Sequence, residues 1–315
     1  LGNFVAGHVN LELVMAAART VDGETAGLAA PGAASAFCAD QAAELFWSVT
    51  AGGQADPAKP APACSGVQTA SAETPPCAAE PRPRIAYVRD SALWFYYEEN
   101  LEALRRAGAE LVHLSLLPRG DDGDAGHGGH GGAGWPQVDG LYLGGGFPED
   151  HVAALSASPL LRQLSQWAGQ GMPIYAECGG YMYLMEALVD FDGHSHPMAG
   201  VFAGQAVMTR KLQMVGYVEA ALQEDSVLGP AGQVIHGHEF HFSAEQENAG
   251  ADELVRPFLF TKLRNGQQYS AGQLRYSALG SYLHLHFAGC PAVAQQFVAH
   301  CRSFHEGQPY AAGED

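Results

Sequence analysis

The chain has 315 residues and a formal net charge of −18, from 34 acidic and 16 basic side chains. Such a charge repels phosphate backbones and anionic headgroups, which argues against general nucleic-acid binding and against attachment to an anionic membrane surface. The 47% hydrophobic content excludes a disordered chain, and the length corresponds to about two domains.

No apolar run reaches the ~20 residues that a membrane span needs. The first twenty residues have no basic start and contain Glu12, so they do not form a signal peptide. Because the chain begins with Leu1, we interpret it as a fragment or a processed product. The six cysteines lie too far apart for a zinc site or a disulfide scaffold, which favours a reducing compartment.

The N-terminal quarter differs in composition from the rest of the chain. Residues 1–50 predict helices without strands of their own, and residues 51–83 have the Pro/Ala-rich composition of a disordered linker.

From Arg84 onwards, short apolar runs alternate with amphipathic stretches, which predicts an α/β domain with a mainly parallel central sheet. The predicted strands are 84–88, 110–116, 138–143 and 173–176, and the predicted helices are 96–107, 150–170 and 179–188. Further strands are predicted at 201–208, 214–222, 234–242, 258–263 and 280–287, followed by a closing helix over 291–304.

A Gly/His insertion at 119–135 interrupts this pattern, and its glycines predict a flexible loop. His127 and His130 with the neighbouring aspartates offer the alternative of a weak metal site.

The strongest chemical motif is a buried strand that runs into Glu177-Cys178-Gly179-Gly180 and then a helix. This order predicts a nucleophile elbow, in which small neighbours permit a tight turn and lift the sulfur above the sheet edge. The helix N-terminus is expected to stabilise the thiolate. A buried structural cysteine is the alternative.

Three glycines, Gly144–Gly146, follow the neighbouring strand. Bare backbone amides there can hold an oxyanion together with the N–H of Gly179. The alternatives are a tight turn or a phosphate loop, although the Walker pattern is absent from the sequence.

A nucleophilic cysteine needs a base, and His284 in a late strand-like segment is the best candidate. Alternation places His286 on the same face as His284, so His286 is a candidate third member behind the base.

The segment 236–243 is also rich in histidine. His236, His238 and Phe240 fall on one strand face, and Glu239 and His241 fall on the other, which splits the potential zinc ligands. We therefore expect no metal site, and contact with substrate or with a neighbouring domain instead.

The residues 141–149, 173–184, 237–243 and 280–287 together resemble one family, the cobalamin-type class I glutamine amidotransferases. Within it, Ala-Glu-Cys-Gly-Gly and His-Glu-Phe-His are similar to the cobyrinate a,c-diamide synthase branch, and residues 84–104 resemble the opening of that domain. The resemblance implies a class I glutamine amidotransferase-like three-layer sandwich over 84–306, with a tail at 307–315.

The resemblance implies that Cys178 is the nucleophile and that His284 activates it. Gly145, Gly146 and Gly179 match the oxyanion and glutamine-binding region. His286 stands where the ordinary family has its third-member Glu. The resemblance also suggests residues that contact substrate or a neighbouring domain, namely Glu177, Tyr181, His238, Glu239 and His241.

The implied reaction is glutamine hydrolysis that supplies ammonia to a synthetase domain, where ATP and Mg²⁺ activate the a- and c-carboxylates of cobyrinate or a related tetrapyrrole. No such ATP-binding domain is recognisable in this chain, so residues 1–50 are interpreted as its helical remnant. The domain would come from the same protein or from a partner chain, and a homodimer is one further alternative. The expected compartment is the cytoplasm, or a plastid if the source is an alga.

Two other functions stay open. The fold could serve as a non-catalytic scaffold or docking module without its ATP-binding half, or the cysteine could hydrolyse a different amide.

Overall fold

The computed structural model describes residues 82–117, 127–128, 135–247 and 254–307, with only the backbone of 127–128. The helices predicted for 1–50, nearly all of the linker, most of the Gly/His insertion and all but the first residue of the tail lie outside these described residues.

The first half of the domain alternates strands and helices. The strands are β1 (Arg84–Val88), β2 (Glu110–Ser115), β3 (His127–Gly128), β4 (Gly140–Leu143) and β5 (Ile174–Glu177). The helices are α1 (Glu98–Arg106), α2 (Val152–Ser156), α3 (Leu160–Gly169) and α4 (Gly179–Leu184), and a 3₁₀ turn spans Pro148–His151.

The second half consists mostly of strands. They are β6 (Met185–Val189), β7 (Ser195–Pro197), β8 (Phe202–Met208), β9 (Met214–Leu222), β10 (Val234–His241), β11 (Ser243–Gln246), β12 (Phe258–Lys262), β13 (Gln268–Ala271), β14 (Gln273–Arg275), β15 (Ala278–Ser281) and β16 (Leu283–Leu285). A 3₁₀ turn, Phe287–Gly289, leads into the closing helix α5 (Ala292–His305). No helix in the described residues is long and apolar enough to cross a bilayer.

The central sheet has the strand order β14-β15-β5-β4-β1-β2-β3, and every pair except β14–β15 is parallel. Side chains alternate across it: Ile85 packs with α1 and α5, whereas Ala86 and Val88 pack with α3 and α4 on the other face. Helices therefore cover both faces, which confirms the α/β class with a mainly parallel sheet between two helical layers.

Two smaller sheets complete the described part of the domain. One is antiparallel, in the order β13-β12-β9-β10-β16, and the other has the order β11-β8-β6-β7. The strands predicted at 201–208, 214–222, 234–242 and 258–263 are confirmed to within one residue at either end. The sequence did not indicate β7, β11, β13 or β14.

Three predicted elements are wrong in extent. The helix predicted over 150–170 breaks at Ser158-Pro159, because proline lacks the N–H that a helix interior needs. The helix predicted to reach residue 188 ends at Leu184, because residues 185–189 pair with β7 and β8. The strand predicted over 280–287 divides at Tyr282, where the chain passes from the central sheet to the antiparallel sheet.

A buried asparagine joins α1 to the segment that follows β16. The Asn100 side-chain amide donates to the Leu285 carbonyl at 2.7 Å, and its oxygen accepts from the Phe287 N–H at 2.8 Å. Asn100 is fully buried, so water cannot replace its side chain as the hydrogen-bond partner of these two backbone groups.

We expect Asn100→Ala to lower the free energy of unfolding by about 2–4 kcal/mol, because it leaves two buried backbone groups without partners. Urea denaturation monitored by circular dichroism measures the change. The control is Glu102→Ala on the exposed side of the same helix, with an expected change of about 0.5 kcal/mol or less. Equal effects of the two substitutions would contradict the role of Asn100.

Candidate active site

Three neighbouring parallel strands end at the same edge of the central sheet. Strand β4 runs into the glycine loop Gly144–Gly146, β5 runs into Cys178, and β15 ends at Ser281. The Cys178 N–H donates to the Ser281 carbonyl at 2.8 Å, which ties the β5 end to the β15 end. In parallel sheets this carboxyl edge is where ligands bind.

The backbone at Cys178 has φ 45° and ψ −103°, a conformation that non-glycine residues rarely adopt. Glycines after Cys178 and in the facing loop make the turn possible. A Cβ on Gly179 would lie 2.9 Å from the N and O atoms of Gly146, and the Gly180 N–H donates to the Gly144 carbonyl at 3.0 Å. This strand, sharp turn and helix have the geometry of a nucleophile elbow.

The Cys178 thiol is neutral at rest. Burial raises its pKa to about 12, helped by the Glu149 carboxylate, whereas the Gly179 N–H acts in the opposite direction. We expected the helix N-terminus to favour the thiolate, and it does act that way through Gly179, but the loss of hydration outweighs it. The thiol therefore needs a base to become a nucleophile.

His284 is the buried histidine of this site, with 6% of its surface exposed. Its ring stacks on His238 at 4.9 Å between centroids and meets the Phe95 ring edge-on at 5.0 Å. Burial holds the pKa of His284 well below its usual value, so the imidazole is neutral. Among the described residues, its Nδ1 has no hydrogen-bond partner, and the Glu177 Oε2 lies 3.9 Å away.

Cys178 and His284 lie against the same two segments, strand β10 and the glycine loop. The Cys178 Sγ lies 3.8 Å from the Phe240 carbonyl of β10, and His238 of the same strand stacks on His284. A Cβ on Gly145 would lie 2.5 Å from the His284 Cε1, next to the Gly146–Gly179 contact. The described structure thus brings together the predicted nucleophile, the predicted base and the glycine loop.

The backbone N–H groups of the glycine loop differ in their hydrogen-bond partners. The Gly144 N–H donates to the Tyr96 hydroxyl at 2.7 Å, and the Gly145 N–H donates to the Phe95 carbonyl at 3.1 Å. Gly145, predicted as an oxyanion donor, therefore serves instead to make room for His284. Among the described residues no backbone acceptor takes the Gly146 N–H, and the Gly179 N–H interacts with the Cys178 sulfur, so these two amides are the remaining candidates for an oxyanion site.

His286 does not lie behind His284. Its side chain is 43% exposed, its Nε2 lies 3.8 Å from the Glu99 carboxylate, and its ring contacts Tyr97. Strand β16 ends at Leu285, one residue earlier, so the expected alternation stops before His286. The group beside the His284 Nδ1 is the Glu177 carboxylate instead.

Two residues suggested as substrate contacts face the core. Glu177 is 1% exposed, and its carboxylate accepts hydrogen bonds from Tyr175, Tyr142 and the Leu285 N–H. Tyr181 is fully buried against Phe202 and Tyr282, because the first turn of α4 directs it into the core. Neither side chain is accessible to a substrate.

The remaining suggested contacts lie on β10. His238 forms a wall of the site through its stacking on His284. Glu239 is buried and accepts a hydrogen bond from Tyr269, and His241 stacks on Tyr282 at 3.8 Å. The predicted division of these side chains between two strand faces fits their contacts, and His238 alone of the three touches His284.

Three exposed aromatic side chains lie in segments that adjoin the site. Trp94 and Phe147 contact each other beside the glycine loop, and Phe240 follows from β10, all three with exposed rings. The exposed pair Trp94 and Phe147 offers an apolar surface of the kind that can mark an interaction site. No local motif marks these residues, since they belong to three separate segments.

Metal-ligating side chains do not gather at this site. Within the described ranges, three such groups come within 4.8 Å of one another only at Asp190, Asp192 and His194, in the exposed β6–β7 turn. On β10, His238 and His241 each stack on a neighbouring ring.

Residues 84–291 match the CobB/CobQ-like glutamine amidotransferase domain family. The chain is 40% identical to a cobyrinate a,c-diamide synthase of Dehalococcoides mccartyi (strain CBDB1), over 74% of this chain and 47% of that protein. It is 43% identical to that of Synechococcus sp. (strain ATCC 27144 / PCC 6301 / SAUG 1402/1), over 69% of this chain and 44% of that protein. A PurLQS structure from Thermotoga maritima aligns with 69% of this chain and 96% of its own, at 17% identity and a TM-score of 0.46. The chain spans about half the length of the curated relatives it matches.

With the pKa of Cys178 raised to about 12 by burial, we expect iodoacetamide to alkylate it slowly at pH 8. The rate should rise about tenfold per pH unit up to pH 10, because only the thiolate reacts. Mass spectrometry follows the modified peptide, and the urea-unfolded chain is the control, where the rate should level off above about pH 8.5. A plateau below pH 8.5 in the folded protein would contradict the neutral resting thiol.

Proposed function

The chain belongs to the CobB/CobQ-like glutamine amidotransferase domain family, and from that premise we propose that residues 84–306 are a glutaminase domain that releases ammonia from glutamine. The observation that carries the proposal is the elbow at Cys178, with a buried neutral imidazole nearby and the backbone of Gly146 packed against the same turn. Each of these groups has a separate task in acyl transfer.

The proposed cycle begins with two neutral groups. When the glutamine side chain occupies the site, the Cys178 S–H bond breaks and its proton moves to the His284 Nε2. The sulfur electron pair then forms a bond to the carboxamide carbon, and the Gly146 and Gly179 amides hold the oxyanion. His284 then gives the proton to the carboxamide nitrogen, the carbonyl re-forms and the carbon–nitrogen bond breaks. Ammonia leaves, and a γ-glutamyl thioester remains on Cys178.

The second half of the cycle uses the same base. A water molecule gives a proton to His284 and adds to the thioester carbon. The carbon–sulfur bond breaks, glutamate leaves, and the sulfur regains the proton. Burial of both groups supports this starting state, because it makes the thiol and the imidazole favour their neutral forms before substrate binds.

We extend the proposal to the protein of which this domain is a part. The relatives are cobyrinate a,c-diamide synthases about twice as long as the matched region. By analogy, the ammonia would amidate the a- and c-carboxylates of cobyrinate or a related tetrapyrrole, using ATP and Mg²⁺ on a synthetase half in the same protein or a partner chain. The exposed rings of Trp94 and Phe147 suit contact with that half.

We propose a reducing compartment such as the cytoplasm or, for an alga, the plastid. In support, none of the three described cysteines, Cys178, Cys290 and Cys301, forms a disulfide.

A glutamine-like diazo ketone tests the glutaminase proposal. We expect it to label Cys178 selectively, because the pocket would align its diazo carbon with the sulfur, and excess glutamine should block the reaction. Mass spectrometry of the digested protein locates the label. Cys290 and Cys301 serve as internal controls, since both thiols are buried and should stay unmodified.

Cys178→Ala is the matched variant and should give no label and no glutamine hydrolysis. A folded chain that takes no label, alone or with an added synthetase half, would contradict the proposal and support a non-catalytic scaffold. Labelling that glutamine does not block would indicate a cysteine hydrolase of another amide.

A further inference from the structure

The orphan nitrogen of His284 identifies a gap in the mechanism. For Nε2 to accept the Cys178 proton, Nδ1 must carry a hydrogen, and a buried N–H needs an acceptor. Within the described residues the Nδ1 has no hydrogen-bond partner. The atom is buried, and the His284 side chain is only 7% exposed.

Of the carboxylates in the described ranges, only that of Glu177 lies within 4.0 Å of His284, with Oε2 at 3.9 Å from Nδ1. The other acidic candidates are engaged elsewhere. Glu239 accepts from Tyr269 and lies 3.9 Å from His241, and Glu99 lies beside His286 at the surface.

The Glu177 carboxylate is fixed on three sides. The Tyr175 hydroxyl and the Leu285 N–H donate to Oε1 at 2.8 and 3.1 Å, and the Tyr142 hydroxyl donates to Oε2 at 3.1 Å. The Leu285 bond is informative, because Leu285 adjoins His284 on β16. The acid is therefore held by the same strand that carries the base.

We propose that Glu177 is the positioning residue of His284: its Oε2 accepts the Nδ1–H, which leaves Nε2 free to take the Cys178 proton. This inference rests on the proposed glutaminase function. Closing the present separation to an ordinary hydrogen bond needs a shift of ~1 Å, and such contacts often tighten when substrate binds. Glu177 itself neither gains nor loses a proton during the cycle. It stabilises the imidazolium that forms transiently.

The placement differs from a His-x-Glu arrangement on a single strand. Here the acid comes from the residue directly before the nucleophile, and it reaches the base from the central sheet. An acidic residue two positions after His284 is then not needed to hold the imidazole, which accounts for the exposed His286 at that position.

The ionisation of the Glu177 carboxyl group changes with pH near neutrality. Burial raises its pKa to about 7, and its three hydrogen bonds oppose the rise. The titratable groups that face it or interact with its charge are Tyr142, Tyr175, Tyr96, Tyr97, Cys178 and His284. All four tyrosines have raised pKa values and stay protonated at neutral pH. Only the ionised carboxylate can fill the proposed role, so reactivity should rise as the pH increases through about 7.

The test measures the rate at which the diazo ketone labels Cys178 in the full chain. In this reaction the thiol proton passes to the diazo carbon, the sulfur bonds to that carbon, and dinitrogen leaves. We expect Glu177→Gln to lower the maximal labelling rate by about 10²–10⁴-fold while the half-saturating concentration changes less than about threefold. Glu177→Asp should restore part of the rate. The matched control is Glu99→Gln, which should keep the rate within about twofold.

A second variant keeps the test valid if Glu177→Gln fails to fold. Tyr175→Phe removes one hydrogen bond that favours the carboxylate, so the midpoint of the pH dependence should move upward by about half to one unit. The control is Tyr183→Phe, which removes a buried hydroxyl that does not bond Glu177, and its midpoint should not move.

The outcomes separate the two proposals. Absence of labelling in the unaltered chain defeats the glutaminase function. Normal labelling of the unaltered chain, with undiminished labelling of a folded Glu177→Gln or an unshifted midpoint in Tyr175→Phe, overturns the role of Glu177 alone.

Discussion

The site depends on backbone contact between two segments, the turn at Cys178 and the glycine loop after β4. At this contact a single added carbon on Gly179 would lie 2.9 Å from backbone atoms of Gly146. The loop is held from behind by Tyr96, whose hydroxyl accepts from the Gly144 N–H and donates to the Val88 carbonyl. The strained conformation of Cys178 persists because neighbouring backbone bonds fix both of its sides.

The same close packing sets the electrostatics. Water is excluded so thoroughly that the thiol, the imidazole and the tyrosines below them all favour their neutral forms. A charge that develops in such surroundings interacts strongly with fixed dipoles, since little solvent screens it. The Gly179 N–H beside the Cys178 sulfur therefore interacts with it more strongly than it would at the surface. The thiol is nevertheless neutral at rest and needs a base before it can react.

The passage of the chain from one sheet to another places the candidate base, His284. Strand β15 belongs to the central sheet beside β5, and two residues later β16 pairs with β10 in the antiparallel sheet. The crossing at Tyr282 places His284 above the end of β5, between His238 and the glycine loop. The second, strand-rich half of the domain thus contributes His238 and His284 to a site that the parallel sheet alone could not form.

Much of this was determined by the sequence itself. Apolar runs between amphipathic stretches specify strands and helices through their period, and a small-residue turn around Cys178 is a local signal. The periodic pattern predicts neither the helix break at Pro159 nor the strand at 185–189. The break depends on a missing N–H, and the strand depends on pairing with residues distant in sequence. Only the tertiary structure decided that Gly145 is a spacer, that His286 faces outward and that Glu177 lies beside His284. Those roles arise where separate strands meet, and period and composition along one segment do not carry that information.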